Sequence, residues 1–334
     1  MSANAEREAL LDVAGLSVTY AIRGTTASAV EGASFRVAPG ETVAVVGESG
    51  SGKTSAALAV LGLLPRGGRV AAGEIRFRGR ELSRLGAPAR RAILGSEIGA
   101  VFQDPLAALD PVRTIGDHVR EALAGEPGLA RKARRARAIE LLAKAGLPDA
   151  DRVAAEFPHR LSGGMRQRAM ITMAIARGPR LLVADEPTSA LDPTVQAEVL
   201  GLFRALKRET GMGVLLISHD LAVVAENADR AEVMYAGRIV ESAGIADLLA
   251  GPRHPYTKML LRSHPSRARP GERLAPIPGR VPGAAERPSG CRFRDRCPLA
   301  RAKCAEVEPP LIPLAAAGAR RAVACHFDEE VAGL

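Results

Sequence analysis

The sequence predicts an α/β protein built on a mostly parallel sheet, and three observations carry that prediction. Apolar runs of buried-strand length recur at Thr42–Val46, Leu181–Ala184 and Val214–Ile217. Helically patterned stretches separate them, from about Pro111 to Arg177 and from Thr194 to Glu209. A glycine-rich loop directly follows the first run and precedes the apolar-rich segment Thr54–Leu64. Strands apolar on both faces, alternating with helices, argue for parallel pairing with helices on either side.

The remaining elements follow in order. Leu16–Tyr20 and Ala33–Val37 alternate apolar and polar residues, and residues from Leu11 to about Arg80 read as strands joined by turns. Val233–Tyr235 and Arg238–Val240 form a hairpin pattern around Ala236-Gly237. Beyond about Pro255, proline and arginine become frequent and periodicity fades, which divides the chain into 1–255 and 256–334. No internal repeat is present.

Composition bounds the function. Of 334 residues, 47% are hydrophobic and 25% charged, as in an ordinary globular protein. With no Trp and 3% aromatics, the core must come from Ala, Val, Leu and Ile. A net charge of +9 suits an anionic partner, whether nucleotide, nucleic acid or lipid headgroup. Met1–Leu16 carries Glu6, Glu8 and Asp12 and lacks the basic-then-apolar order of a signal peptide. The longest apolar stretches, such as Ala56–Leu64, fall short of the roughly 20 residues of a bilayer span. The expectation is a soluble, cytosolic protein whose membrane connection runs through a partner.

The glycine-rich loop is Gly47, Glu48, Ser49, Gly50, Ser51, Gly52, Lys53, Thr54, followed by Ser55. Glycines let backbone N–H groups converge on phosphate oxygens, and the following helix presents its positive end. Lys53 would reach the β- and γ-phosphates and Thr54 would bind Mg²⁺. The run Leu181–Ala184 ends in Asp185 and Glu186, at the strand edge where α/β sheets place ligands. Asp185 can hold Mg²⁺ and Glu186 can polarise an attacking water. Alone, that pair reads as an ordinary solvated strand end; in a chain that also has a phosphate loop it is good evidence for a hydrolytic site.

Between them lie Leu161, Ser162, Gly163, Gly164, Met165, Arg166 and Gln167. Here the sequence resembles the ATP-binding cassette (ABC) family, whose LSGG signature opens a helix. Further matches arrive in the family's order: Tyr20 where an aromatic stacks on adenine, Gln103 where a glutamine senses Mg²⁺, Ser189, Ala190, Leu191 and Asp192 where a loop crosses the dimer interface, and His219 where a histidine contacts the γ-phosphate. The resemblance implies a P-loop NTPase (RecA-like) core with an antiparallel β-subdomain and a helical subdomain at about 104–175, plus a Cys-containing C-terminal extension. It also implies two cassettes closing head-to-tail, so that Ser162 grips ATP held by the partner's phosphate loop. The basic cluster Arg131–Arg137 reads as a solvated helix face.

Phe102–Pro105, Asp110–Gly116, Gly164–Arg168 and Met234–Glu241 resemble the oligopeptide/dipeptide importer branch. So does the tail, through His254–Thr257, Ile277–Gly279, Val281–Gly283, Gly290–Phe293 and Arg296–Pro298. The branch implies a second ATPase subunit, two integral membrane permeases, an extracytoplasmic solute-binding protein and a peripheral place on the cytoplasmic face of the plasma membrane. Its members import peptides, nickel complexes and some sugars. Departures at Arg160, Pro193, Ala107 and Ala108 remove no phosphate or metal ligand. A soluble cassette ATPase acting on nucleic acid or ribosomes is the rival of a different class. Such proteins carry two cassettes or a long inserted coiled coil, whereas this chain has one phosphate loop and a compact helical interval.

Cys291, Cys297, Cys304 and Cys325 are all the cysteines. Disulfides are disfavoured in a reducing cytosol, and a zinc site lacks its usual C-x2-4-C pairs, although four thiolates could still bind zinc. Some importer-branch members resemble this tail and carry a 4Fe–4S cluster, which leaves that cluster and free thiols as the main alternatives.

Overall fold

The computed structural model describes residues 9–22, 24–126, 128–189, 191–263, 276–314 and 321–334. It divides into two compact units, one built mainly from Ala38–Glu41 and Arg84–Leu215, the other from Leu11–Val37, Thr42–Ser83 and Leu216–Leu334.

The second unit begins with β1 (Leu11–Ile22), β2 (Thr25–Val37), β3 (Thr42–Val46), α1 (Lys53–Leu61), β4 (Gly68–Phe77) and β5 (Arg80–Glu81). Strands β2, β1, β4 and β5 form an antiparallel sheet in that order. In β1 the buried residues are Leu11 and Val13, then Leu16 and Val18. The odd-to-even switch coincides with a register shift across Ala14–Gly15, where Gly15 has φ +59°. A bulge there keeps both apolar pairs on one face.

The first unit contains α2 (Ala87–Leu94), β6 (Ile98–Val101), α3 (Pro105–Ala108), α4 (Ile115–Ala122), α5 (Arg131–Lys144), α6 (Ala150–Ala155), α7 (Gly163–Ile175), β7 (Leu181–Asp185) and α8 (Pro193–Thr210). Strands β6 and β7 pair in parallel, Ile98 opposite Leu181. Helices α4 to α7 enclose a core of Ile115, Val119, Leu123, Leu142, Val153, Leu161 and Ala169. On α5, Arg131, Lys132 and Arg135 are exposed, while Arg134 and Arg137 are half-buried.

The division falls within β8 (Gly213–Ser218), after which the second unit resumes with α9 (Leu221–Asn227), β9 (Arg230–Tyr235), β10 (Arg238–Gly244), α10 (Ile245–Ala250), α11 (Pro255–Arg262), α12 (Ala302–Glu306), β11 (Ile312–Pro313) and β12 (Ala322–Val323). Strand β3, buried at every residue, pairs in parallel with β9. The predicted hairpin is present: Ala236 and Gly237 both take positive φ, as a two-residue primed turn requires. Strand β12 then pairs with β10, so the tail continues the second unit's own sheet. Among the described residues, no helix is long and apolar enough to cross a membrane.

Candidate functional site

In the second unit, the loop after β3 holds its shape through glycines and Lys53. A Cβ on Gly47 would lie 2.2 Å from the Met234 carbonyl oxygen, and Gly52 combines φ +106° with a Cβ position 2.6 Å from the Ala29 oxygen. No other residue fits either place. Lys53 is 5% exposed, and its ammonium donates to the carbonyls of Gly47 (2.7 Å) and Glu48 (2.9 Å). Thus the lysine is folded into the loop that would cradle phosphate. Ser49, Gly50 and Thr54 are exposed and Ser51 is buried, its carbonyl accepting from Gly237 N–H at 2.8 Å. Half-buried Tyr20 donates its hydroxyl to Ser55 Oγ at 3.1 Å. His219 is exposed just after β8, before Asp220 caps α9 by accepting from Ala222 and Val223 N–H.

In the first unit, Asp185 closes β7 at 8% exposure. Glu186 adopts φ +45°, a left-handed conformation that costs a non-glycine residue energy and clusters at functional sites. Its carboxylate accepts from Gln103 Nε2 at 3.2 Å, joining two residues 83 positions apart. Ser189 N–H and Oγ both donate to the Glu186 carbonyl. Leu191 N–H reaches Thr188 O, and Asp192 caps α8 through Thr194 and Val195 N–H. Ala190 lies outside the described residues.

The signature segment opens α7. Leu161 is buried in the helical core, while Ser162 and Gly163 are exposed, and Ser162 Oγ accepts Met165 N–H at 3.3 Å. A Cβ on Gly164 would meet Val195 Cγ1 at 2.5 Å, so glycine lets α7 approach α8. Met165 and Arg166 are half-buried. Gln167, placed in the signature segment by the sequence, is buried at 2% exposure. The start of α7, with Ser162 and Gly163 exposed and the positive end of the helix dipole behind them, is an anion-binding geometry.

In the tail, Cys291, Cys297, Cys304 and Cys325 are unbridged and line one small cavity with Pro255, Phe293, Leu299, Pro309 and Phe327. Gly290 has φ +64° and passes so close to Cys304 O that a Cβ would lie at 2.3 Å. Cys291 N–H donates to that same oxygen at 2.7 Å. Burial pushes the Cys297 thiol up to about 11 and the Cys325 thiol up to about 12. Among the described residues, no three His, Cys, Asp or Glu side chains are placed to hold a metal ion as they stand.

Sequence reasoning missed what lies beneath the phosphate loop. Tyr256 donates no signal by pattern, yet its hydroxyl accepts Glu48 N–H at 2.8 Å. Arg296 grips the Glu48 carboxylate with both terminal nitrogens, at 2.8 and 2.9 Å.

Comparisons with known proteins accord with this geometry. Residues 30–189 match the ABC transporter family model, and residues 240–304 match that of the oligopeptide/dipeptide transporter C-terminal region. The dipeptide transport ATP-binding protein DppD of Haemophilus influenzae is 46% identical over 95% of both chains. The oligopeptide transport ATP-binding protein OppD of Mycobacterium bovis is 52% identical over 92% of this chain, which spans 50% of that relative's length. A solved dimeric ATP-binding cassette, MJ0796 in a post-hydrolysis state with ADP and Pi, is similar at TM-score 0.64 and 27% identity, covering 70% of this chain and 98% of that one. The chain belongs to the ABC transporter ATPase family, in the group that carries the oligopeptide/dipeptide transporter C-terminal region.

Proposed function

We propose that this chain is the ATP-hydrolysing subunit of an importer for di- and oligopeptides, bound peripherally to two membrane permeases on the cytoplasmic face. The observation that carries the reading is the pairing, in one chain, of a lysine-filled phosphate loop with a serine-capped signature helix. Each offers one half of a nucleotide-binding surface. In this reading Lys53 and the loop amides bind the β- and γ-phosphates, and Tyr20 stacks on adenine. Ser162 and the start of α7 grip the nucleotide of a second cassette, with Ser189–Asp192 crossing the interface. Glu186, oriented by Gln103, accepts a proton from the attacking water, and His219 contacts the γ-phosphate. Thr54, Asp185 and Gln103 supply the oxygen ligands that Mg²⁺ favours, and the ion when bound neutralises phosphate charge.

Co-purification from native membranes, followed by mass spectrometry, tests the assembly. Two multi-span permeases, a second cassette and a solute-binding protein support it; ribosomal or nucleic-acid partners instead overturn it. Uptake of labelled dipeptide against nickel by the reconstituted complex separates the solutes.

For the tail, a 4Fe–4S cluster held by Cys291, Cys297, Cys304 and Cys325 is the reading we favour. All four soft donors line one small, largely apolar cavity, and soft thiolates are the ligands such a cluster takes. Its role would be structural, stapling a segment poor in apolar surface. Colourless, iron-free protein after anaerobic purification rejects it.

A further inference from the structure

The phosphate loop is held from below by the C-terminal tail. Glu48 is fixed at three separate groups. Its carboxylate takes a two-pronged grip from Arg296, its N–H donates to the Tyr256 hydroxyl, and its carbonyl accepts from Lys53. The Arg296 side chain is only 5% exposed. It lies over the rings of Tyr235 (5.7 Å) and Phe293 (5.9 Å), and its Nε donates to Pro278 O at 2.7 Å. The two rings meet Tyr256 at centroid distances of 4.7 and 5.3 Å, and all three aromatics are almost fully buried. In a chain with 3% aromatic residues, this is a concentrated rigid support.

A buried ion pair recovers little stability beyond its desolvation cost, whereas losing one partner leaves an uncompensated charge. Burial opposes the charge on Arg296, yet the hydrogen bond to Glu48 raises its pKa overall. The pairing therefore fits a device for geometry better than one for stability. It does two things. The bidentate fork fixes the loop's path at Glu48 before a ligand arrives, which lowers the ordering cost of binding. It also neutralises a carboxylate one residue from Gly47 and five from Lys53, where an unpaired charge would repel triphosphate and retain the lysine.

We propose that Arg296 is a positioning residue for nucleotide binding, acting through Glu48, and that the tail thereby sets the affinity of the phosphate loop. The inference rests on reading Gly47–Thr54 as a phosphate cradle. The test is equilibrium binding of a fluorescent ATP analogue to the purified full chain, with thermal unfolding measured alongside. Arg296→Ala should raise Kd about tenfold, and Arg296→Lys, which keeps the charge but not the fork, about threefold. Because Arg296 acts through Glu48, the double variant Glu48→Ala/Arg296→Ala should bind within about twofold of Glu48→Ala alone.

The control is Arg253→Ala, which removes a tail anchor to Asp328 (2.6 Å) away from the loop and should lower Tm without changing Kd. If Arg296→Ala does not fold, Glu48→Gln reads the same coupling, with an expected rise in Kd of severalfold. An unchanged Kd in Arg296→Ala, or in Glu48→Gln, overturns the inference. So do losses that simply multiply in the double variant. Wild-type protein that binds no ATP overturns instead the reading of the cradle itself.

Discussion

Replacing Ser162 by Asp separates the two roles that the first residue of a signature helix can play. As a helix cap, Ser162 accepts Met165 N–H at 3.3 Å, and Asp supplies the same acceptor. Ser162→Ala removes it and should cost about 1 kcal/mol of stability. Ser162→Asp keeps the cap and adds a charge favoured at a helix N-terminus, so stability should hold or rise slightly. The exposed position makes this a mild change for the isolated chain. Facing a γ-phosphate it is severe. Two unit charges about 4 Å apart at an effective dielectric of about 20 repel by about 4 kcal/mol, or about a thousandfold. The assays are thermal unfolding of the purified chain and ATPase turnover of the assembled transporter. Unchanged Tm with turnover reduced at least about a hundredfold is expected. Turnover within about threefold of wild type would refute the phosphate-facing role of α7.

Other outcomes follow from the same geometry. Glu186→Gln retains an acceptor for Gln103 but no base, so it should trap an ATP-bound closed dimer, visible by size-exclusion chromatography; normal turnover removes Glu186 from that role. Lys53→Ala should weaken ATP binding by at least about tenfold, and unchanged binding contradicts the phosphate-loop assignment. Burial lowers the pKa of His254 from 6.5 to about 3, while its backbone N–H donates to Glu241. Above 6.5 both states are neutral; as pH falls toward 3, only the unfolded chain takes the proton. Stability should therefore drop by about 1.6 kcal/mol between pH 6.5 and 5. His254 Nδ1 caps α11 by accepting Tyr256 N–H at 3.1 Å, a role Asn can keep, so denaturant unfolding of His254→Asn should show a shallower slope over that window. Equal slopes remove His254 as the source.

The parts legible in the sequence are those governed by local chemistry. Val43–Val46 reads as a buried strand because every residue is apolar, and Gly47–Thr54 reads as a phosphate loop because its glycines and lysine follow that strand directly. The hairpin at Ala236-Gly237 is visible from one dipeptide between apolar runs. What stayed hidden depends on residues far apart in the chain. Arg296 lies 248 positions from Glu48, and neither residue type carries a signal of the other. Tyr256 and Arg296 stand within tail motifs, but nothing local says that they reach the phosphate loop. The left-handed backbone of Glu186 is equally silent, since Asp-Glu after a strand is common and neither residue type calls for positive φ. Gln167 shows the converse: adjacency to Gly164 marks it as a signature residue, while helical periodicity turns it into the interior.

A structure of the assembled transporter with ATP bound and hydrolysis blocked by Glu186→Gln tests the central claim most directly. The account predicts that Ser162 Oγ and the first amides of α7 meet the γ-phosphate of a nucleotide seated in the facing cassette's phosphate loop. A bound triphosphate with that helix start directed elsewhere, or left in solvent, contradicts it.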